Sequence, residues 1–154
     1  LWYLEYGDPH WDSSIWEIMK HLHTGGMWLK KGSVIAAEQH KTSQDLKNAA
    51  PNGKNYANGD VNSFKDYAIS NETITNGRPA NLSNYIYFPA VGLYIQRQSD
   101  DHDGQLKDVG SRAYYWSSTA RPYGNLIAYN HLIERGKVAA GYGGRANAHC
   151  LWPQ

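Results

Sequence analysis

The clearest run of potential metal ligands in the sequence is Asp100, Asp101, His102 and Asp103, which Gly104 follows. Carboxylate oxygens suit Ca²⁺, but this ion takes about six to eight oxygen ligands, and the run lacks the spacing and closing Glu of an EF-hand loop. The shortage of ligands favours a solvated turn over a calcium site. We therefore predict no bound metal and no cofactor.

The histidines and aspartates near the N-terminus give no second metal site. His21 and His23 lie two positions apart on a predicted helix, so their rings point in different directions and make a poor chelate. Asp8, His10 and Asp12 flank a predicted turn and are interpreted as helix-cap or surface residues. The spacing of both groups predicts structural roles rather than catalysis.

No arrangement typical of a nucleophilic or phosphate-binding enzyme occurs in the sequence. The chain lacks a Gly-x-Ser-x-Gly turn, a phosphate-binding loop and a paired-carboxylate arrangement. Cys150 is the single cysteine, which excludes an internal disulfide and a Cys-based zinc site. We therefore predict that the chain is not an enzyme.

Recognition chemistry is concentrated near the C-terminus, at every second position. These positions are Tyr123, Asn125, Ile127, Tyr129, His131, Ile133 and Arg135. On a strand, alternate residues share one face. The polar members of the set are costly to bury, whereas Leu126, Ala128 and Leu132 on the other face suit a core. We predict that the first set is an exposed binding face; the alternative is that it is core, which its two isoleucines would suit.

Further side chains extend the predicted ligand-binding set. They are Arg112, Tyr114, Arg121, Tyr142, Arg145 and His149. Tyr offers a large contact area at low entropic cost, and Arg and His add directional hydrogen bonds. Trp116, with Ser117 and Ser118, is interpreted as scaffold, because rigid support reduces the entropy that a recognition surface loses on binding.

Composition narrows the classes of partner. The formal net charge is +1, which favours binding neither to nucleic acid nor to an anionic membrane. No segment approaches the length of a transmembrane helix, so we predict no insertion into a membrane. The 12 Tyr and 6 Trp outnumber the 2 Phe, which favours half-buried positions and recognition surfaces. At 154 residues the chain suits one domain. Its opening without Met, at "LWYLEYGD", suggests the C-terminal part of a longer chain.

These side chains must be positioned by a small set of predicted elements. A helix begins at Ser14, which has capping-box spacing to Glu17, and ends at the Gly25-Gly26 pair. Its apolar stripe is Ile15, Ile18, Met19 and Leu22. A shorter helix covers residues 43–50.

The remaining pattern predicts strands, turns and one long loop. Strands are expected over residues 1–6, 85–95, 112–119, 126–133 and 148–152, with the first pairing near the last, and another begins at residue 27 before a turn. Residues 51–84 form a long loop or a weakly structured insertion. The sum is one α+β domain over residues 1–154, with two helices, a small antiparallel sheet and long loops.

Several blocks of sequence occur in a familiar order. They are "YFPAVGLY", "GQLKDVGSRAYYWSST", "AYNHLIERGKV" and a tail rich in Gly, Asn and Arg. This order resembles the C-terminal domain of gut-bacterial fimbrillin-type and Fibrobacter-paralogue surface proteins, and the blocks "WYLEYGDPHWD" and "GGMWLKKGSVIAAEQHKT" extend the resemblance over nearly the whole chain. The resemblance implies a C-type-lectin-like fold, in the same broad group as formylglycine-generating enzymes.

The tail also resembles the variable region of diversity-generating-retroelement proteins, in which adenines of a template are mutagenised. Relatives are rich in Asn where this chain carries other residues, namely Arg112, Tyr123, Ile127, His131, Ile133, Arg135, Tyr142 and His149. Two departures weaken the match. The chain ends "ANAHCLWPQ" instead of in a Gly-Phe-x-x-Arg strand, and its "QRQSDDHDG" loop is longer and more acidic than in relatives.

We therefore expect a surface-displayed ligand-binding module with a hypervariable C-terminal face. The expected partner is a protein or glycan ligand on another cell surface, and the expected location is extracellular, on a cell surface, a fimbrial tip or a phage particle. One alternative is an undiversified fimbrial-tip adhesin domain. Another alternative is a lectin-fold oxidase. The single cysteine opposes it, because the related formylglycine-generating enzymes depend on paired cysteines.

Overall fold

Strands account for most of the regular structure in the computed structural model, which describes residues 1–18, 20–58, 69–94, 106–122 and 126–145. Of these residues, 48% lie in strands and 18% in helices. The strands form one sheet of four and one of six, both mixed. The prediction of an α+β, C-type-lectin-like fold with two helices and a small antiparallel sheet is therefore wrong.

Three short helices and ten strands make up the described part of the chain. In chain order they are α1 (Trp2–Tyr6), β1 (His10–Ile18), β2 (His21–Lys30), α2 (Gly32–Glu38), α3 (Ser43–Asn48), β3 (Ile69–Asn71), β4 (Thr75–Asn76), β5 (Tyr85–Pro89), β6 (Val91–Tyr94), β7 (Leu106–Val109), β8 (Arg112–Trp116), β9 (Ile127–Glu134) and β10 (Lys137–Gly144). A 3-10 turn, Leu82–Asn84, precedes β5.

The smaller sheet has the strand order β4-β1-β2-β5. The pairs β1–β2 and β2–β5 are antiparallel, and β1–β4 is parallel. His10, Trp28 and Tyr87 lie opposite one another in this register, so they share one face. Trp11 and Met27 are buried on the other face. The sheet therefore has an inner, apolar face and an outer face with aromatic and polar residues.

The larger sheet has the strand order β3-β10-β9-β8-β6-β7. Its centre is the antiparallel set β8, β9 and β10. On β9, His131 lies between Tyr115 of β8 and Ala140 of β10. Ile133 is flanked in the same way by Ala113 and Val138. These residues share the inner face of the larger sheet, because directly opposite residues point to the same side.

The core lies between the inner faces of the two sheets. The smaller sheet contributes Trp11, Met27 and Leu29. The larger sheet contributes Ala113, Tyr115, Ile133 and Val138, and α1 contributes Leu4. The Tyr115 hydroxyl donates to the carbonyl oxygen of Pro89 at 2.5 Å, which satisfies the polar group within this apolar layer. Burial of this set is the main source of stability of the fold.

Residues 14–18 and 20–23, within the segment predicted as the first helix, form the outer end of the β1–β2 hairpin instead. Trp16 lies opposite His23, and their ring centroids are 5.0 Å apart. The Trp16 indole donates to the carbonyl oxygen of Gly25 at 2.8 Å. Lys20 has a φ of 65°, which lets the chain reverse direction between the two strands.

The helix prediction is wrong, and the described residues of its apolar stripe are exposed. Ile15 and Leu22 are 68% and 71% exposed, although their spacing matches one face of a helix. A helical stripe stabilises a helix only when it is buried. Cross-strand pairing continues from the core strands into this segment and determines its structure.

Helix α3 agrees with the sequence prediction, and its start is explained by a capping box. The Thr42 side chain accepts a hydrogen bond from the Asp45 backbone N–H at 3.1 Å, and Asp45 accepts one from the Thr42 N–H at 2.7 Å. The segment predicted as the first strand is helix α1 instead, so its pairing with a C-terminal strand is wrong. Residues 32–38 belong to the segment predicted as a strand followed by a turn, and they form helix α2 instead.

The two sheets meet at a backbone seam made by Gly25, Ala90 and Gly110. The Ala90 N–H donates to the Gly25 carbonyl at 2.9 Å, and the Gly110 N–H donates to the Ala90 carbonyl at 2.6 Å. Gly25 has a φ of 88°, and a Cβ atom there would lie 2.3 Å from the Gly110 carbonyl oxygen. Only glycine fits this position, which fixes how closely the sheets approach.

Candidate functional site

A cavity of about 650 Å³ lies between the inner face of the larger sheet and the three helices. Its size falls within the range of about 300–1,000 Å³ that is usual for ligand pockets. We call it the aromatic cleft. The residues that carry its chemistry are Trp2, Tyr3, Tyr56, Phe88, Tyr115, Trp116, Ser117, Ser118, Thr119, Tyr129, Asn130, His131 and Ile133.

The floor of the aromatic cleft is the β8–β9 part of the larger sheet. Tyr129 and Ile133 are 8% and 1% exposed, and His131 lies between them on the same face. Ile86 and Phe88 of β5 add apolar side chains beside this floor. Because the floor is built on paired strands, its side chains are held in fixed relative positions.

His131 is the titratable group at the centre of the floor. Its ring packs edge-on against Tyr3 with centroids 6.2 Å apart. Burial lowers the pKa of His131 to about 4, so the imidazole is uncharged at neutral pH. An uncharged imidazole donates through one ring nitrogen and accepts through the other, which suits a neutral polar group of a ligand.

The helical wall of the aromatic cleft is tied to the sheet by aromatic contacts. Tyr56 packs edge-on against Tyr129 with centroids 6.2 Å apart, and the Tyr129 hydroxyl lies 3.5 Å from the Tyr56 carbonyl oxygen. The Trp2 indole donates to the Ala49 carbonyl at 2.8 Å, which fixes α1 to the segment that follows α3. The wall is therefore rigid and largely apolar.

Hydroxyl groups gather where β8 leaves the sheet. Ser117, Ser118 and Thr119 line this part of the aromatic cleft. The Ser117 N–H donates to the Tyr129 carbonyl at 2.9 Å, and the Ser117 hydroxyl accepts from the Thr119 N–H at 3.1 Å. Trp116 also lines the cleft, so the residue predicted as scaffold lies at the surface of the cavity as well.

The structure corrects the predicted exposure of the alternating set. Ile127, Tyr129, His131 and Ile133 share one face as predicted, but that face points inward and the helices cover it. The charge of Arg135 favoured an exposed face, but Arg135 lies in the turn between β9 and β10, beyond the end of the strand. The exposed-face prediction is therefore wrong for β9, while a ligand-binding role for Tyr129, His131 and Ile133 stays a prediction.

One end of the β9–β10 hairpin brings several predicted residues together. The Arg121 guanidinium lies 5.3 Å from the centre of the Tyr142 ring, and Tyr142 packs against Tyr129. Arg145 binds Ile127 through an Nε to carbonyl contact of 3.3 Å. These residues border the aromatic cleft or lie beside its Tyr129 end.

Other predicted residues are far from this end. Arg112 and Arg135 lie near the opposite end of β9, which is 8 residues long and therefore spans roughly 27 Å. Arg112 forms an ion pair with Asp108 at 2.7 Å. Tyr114 lies opposite Leu132, on the outer face of the larger sheet. The predicted set thus occupies more than one surface.

Several predicted features lie outside the described residues. They are Tyr123, Asn125, His149, Cys150, the acidic run Asp100–Gly104 and the strand over residues 148–152. Within the described ranges, no group of three or more His, Cys, Asp or Glu side chains is placed to hold a metal ion. Nor does any helix there have the length and apolar character needed to span a membrane.

Sequence reasoning missed the helical side of the aromatic cleft. Trp2, Tyr3 and Tyr56 line it, although the first two were assigned to a strand and the third to a loop. The aromatic richness of the N-terminal segment was the available signal. No family model, curated protein or solved structure matches the chain. Functional inference therefore rests on the geometry of the site.

Proposed function

We propose that this chain is a ligand-binding recognition module without a chemical step, and that it binds through the aromatic cleft. The observation that carries the proposal is one cavity that is lined both by Tyr129, His131 and Ile133, which the sequence predicts as ligand-binding residues, and by aromatic side chains of α1 and of the turn after α3. Largely apolar cavities with a few fixed polar groups are the usual form of ligand sites.

The lining indicates the chemistry of the bound group. Aromatic rings bind apolar or aromatic groups through large buried areas. The hydroxyls near Ser117 and the uncharged His131 offer hydrogen bonds, and Lys31 and Lys47 add cationic groups on the helical side. The bound part of the ligand is therefore an aromatic or apolar group with a polar substituent, presented by a protein or glycan on another surface.

The second part of the proposal concerns where the module is displayed and which of its residues vary. The module is carried outside a cell, on a fimbrial tip or on a phage, and the residues near Arg121, Tyr142 and Arg145 vary between copies. Support comes from their position, since the mixed aromatic and cationic cluster borders the aromatic cleft. An undiversified adhesin is the alternative. A template repeat that differs only at adenines, beside a reverse-transcriptase gene, distinguishes the two.

The cleft-binding proposal is tested with an uncharged aromatic dye, 1-aminoanthracene, followed by its own fluorescence. Ser118 is exposed and lines the aromatic cleft, so Ser118→Trp fills the cavity without loss of a core side chain. Ser111 is exposed in the turn before β8 and does not line the cleft, so Ser111→Trp is the matched control.

We expect saturable dye binding to the unaltered protein and to Ser111→Trp, and at least tenfold weaker binding to Ser118→Trp. Thermal unfolding of the three proteins verifies that each is folded. Equal dye binding by both variants, or no saturable binding to the unaltered protein, contradicts the assignment of the cleft as the ligand site.

A further inference from the structure

The outer face of the smaller sheet carries a second concentration of recognition chemistry. His10, Trp28 and Tyr87 lie side by side across β1, β2 and β5. The Trp28 and Tyr87 rings have centroids 4.9 Å apart with an interplanar angle of 43°. Asp12 and Arg78 adjoin this pair. We call these five residues the outer patch.

A glycine allows Tyr87 to lie across the sheet. A Cβ atom on Gly26 would stand 2.5 Å from the ring carbon Cζ and the hydroxyl oxygen of Tyr87, so the ring occupies the space above the glycine. Trp28 and Tyr87 are both half-buried, and each aromatic ring offers a large apolar area to a ligand. The Trp28–Tyr87 pair is thus a preformed aromatic platform.

The polar groups beside the platform are fixed in position. Asp12 Oδ2 accepts from the Trp28 indole at 3.0 Å and from Arg78 Nε at 2.9 Å, and Asp12 Oδ1 accepts from the Ser14 N–H at 2.8 Å. The Arg78 side chain is 56% exposed, so its remaining guanidinium N–H groups are open to a ligand.

The hydroxyl of Tyr87 adds an unused hydrogen-bonding group. It is buried close to Asp12 and Arg78, and it has no hydrogen-bond partner among the described residues. Buried polar groups without partners are uncommon in folded proteins. The Tyr87 hydroxyl is therefore an unsatisfied polar group beside the Asp12–Arg78 pair.

The charges around the outer patch are already paired with one another. Asp12 pairs with Arg78, Lys30 lies 3.0 Å from Glu38, and Asp8 accepts from the Tyr85 hydroxyl at 2.6 Å. Among the described residues around the outer patch, each of these charged groups already has a partner, so an ionic ligand competes with an existing contact. A ligand with many hydroxyl groups and no net charge matches these groups best.

We propose that the outer patch binds a neutral saccharide, independently of the aromatic cleft. A pyranose ring has a C–H face that stacks on an aromatic platform and hydroxyl groups at its edge that bond to paired donors and acceptors. Trp28 and Tyr87 supply the platform, and the Arg78 guanidinium with its Asp12 partner supplies the edge contacts.

The test uses four neutral probes, namely cellohexaose, xylohexaose, maltohexaose and mannohexaose, titrated to millimolar concentration. Binding is followed by nuclear magnetic resonance at the indole N–H groups. The Trp28 indole reports on the outer patch, because its N–H bonds to Asp12. The indoles of Trp2 and Trp116 report on the aromatic cleft.

We expect at least one hexasaccharide to shift the Trp28 indole signal saturably while the Trp2 and Trp116 signals stay in place. Arg78→Gln weakens that binding at least tenfold. Arg135→Gln, an exposed arginine in the β9–β10 turn, and Ser118→Trp in the cleft leave it unchanged. The proposal is overturned if none of the probes shifts the Trp28 signal, or if the cleft indoles respond instead. The dye result does not depend on either outcome.

Discussion

At the scale of single residues, Asp12 joins three separate parts of the chain. Its carboxylate accepts from Ser14, where the β1–β2 register shifts between Asp12 and Ile15, from Trp28 of β2, and from Arg78 in the segment before β5. Although burial raises the pKa of Asp12, the hydrogen bonds from Ser14, Trp28 and Arg78 outweigh it and lower the pKa to about 2. The ionised form is therefore part of the folded structure at neutral pH.

Removing this charge is expected to destabilise the fold. Asp12→Asn keeps the shape of the side chain but sets an amide N–H against donors, so we expect the free energy of unfolding to fall by about 2 kcal/mol. Chemical denaturation measures the change. Glu17→Gln, which removes a charge from the exposed end of the β1–β2 hairpin, is the control and should change stability by less than about 0.5 kcal/mol.

At the scale of elements, the reversal of the β9 faces has a direct energetic consequence. Ile133 is 1% exposed and lies within the core, whereas Leu126, at the start of the same segment, is 76% exposed. The sequence pattern predicts the reverse, with Leu126 in the core and Ile133 on the exposed face. Stability therefore distinguishes the observed orientation of the strand from the predicted one.

We expect Ile133→Ala to lower the free energy of unfolding by about 2–5 kcal/mol, because it leaves a cavity in the core. Leu126→Ala should cost less than about 0.5 kcal/mol, as exposed positions usually do. Urea denaturation of both variants gives the comparison. A large loss for Leu126→Ala with little loss for Ile133→Ala would restore the predicted orientation.

The sequence predicted those elements whose signals are local. The Thr42–Asp45 capping box lies within one turn of chain, and helix α3 forms where it was expected. Strands β8 and β9 begin and end within a few residues of their predicted bounds. The β1–β2 hairpin, which replaces the predicted first helix, depends on pairing between strands. The pattern of apolar residues within one segment carries no information on that pairing.

The site was predicted less well, for a physical reason. Spacing along β9 correctly grouped Tyr129, His131 and Ile133 on one face. Which side of a strand is buried depends on what packs against it, here Tyr3 and Tyr56 from distant segments. The cost of burying His131 was overestimated, because loss of its proton removes the charge.

At the scale of the whole molecule, two buried groups make stability fall in acid. Burial lowers the pKa of His131 from its ordinary 6.5 to about 4, so between these values the unfolded chain binds a proton that the folded protein does not. The pKa of Asp12 is lowered from 3.8 to about 2, which extends the same effect to lower pH. Both shifts favour unfolding as the pH falls.

We expect the free energy of unfolding to fall by about 3 kcal/mol between pH 6.5 and 4 through His131, and by about 2 kcal/mol between pH 3.8 and 2 through Asp12. Denaturation curves at a series of pH values measure both steps. His131→Gln should flatten the upper step and leave the lower one. An unchanged upper step in this variant would assign it to another group.

The Gly25–Gly110 seam has a consequence for how the chain can evolve. A side chain at Gly25 would collide with the Gly110 carbonyl, and one at Gly110 would lie 2.9 Å from the Thr24 carbonyl. A substitution at either position is therefore expected to destabilise the fold. The rim of the aromatic cleft carries no such constraint at the exposed residue Ser118. Variants of this sequence that remain folded should therefore keep both glycines.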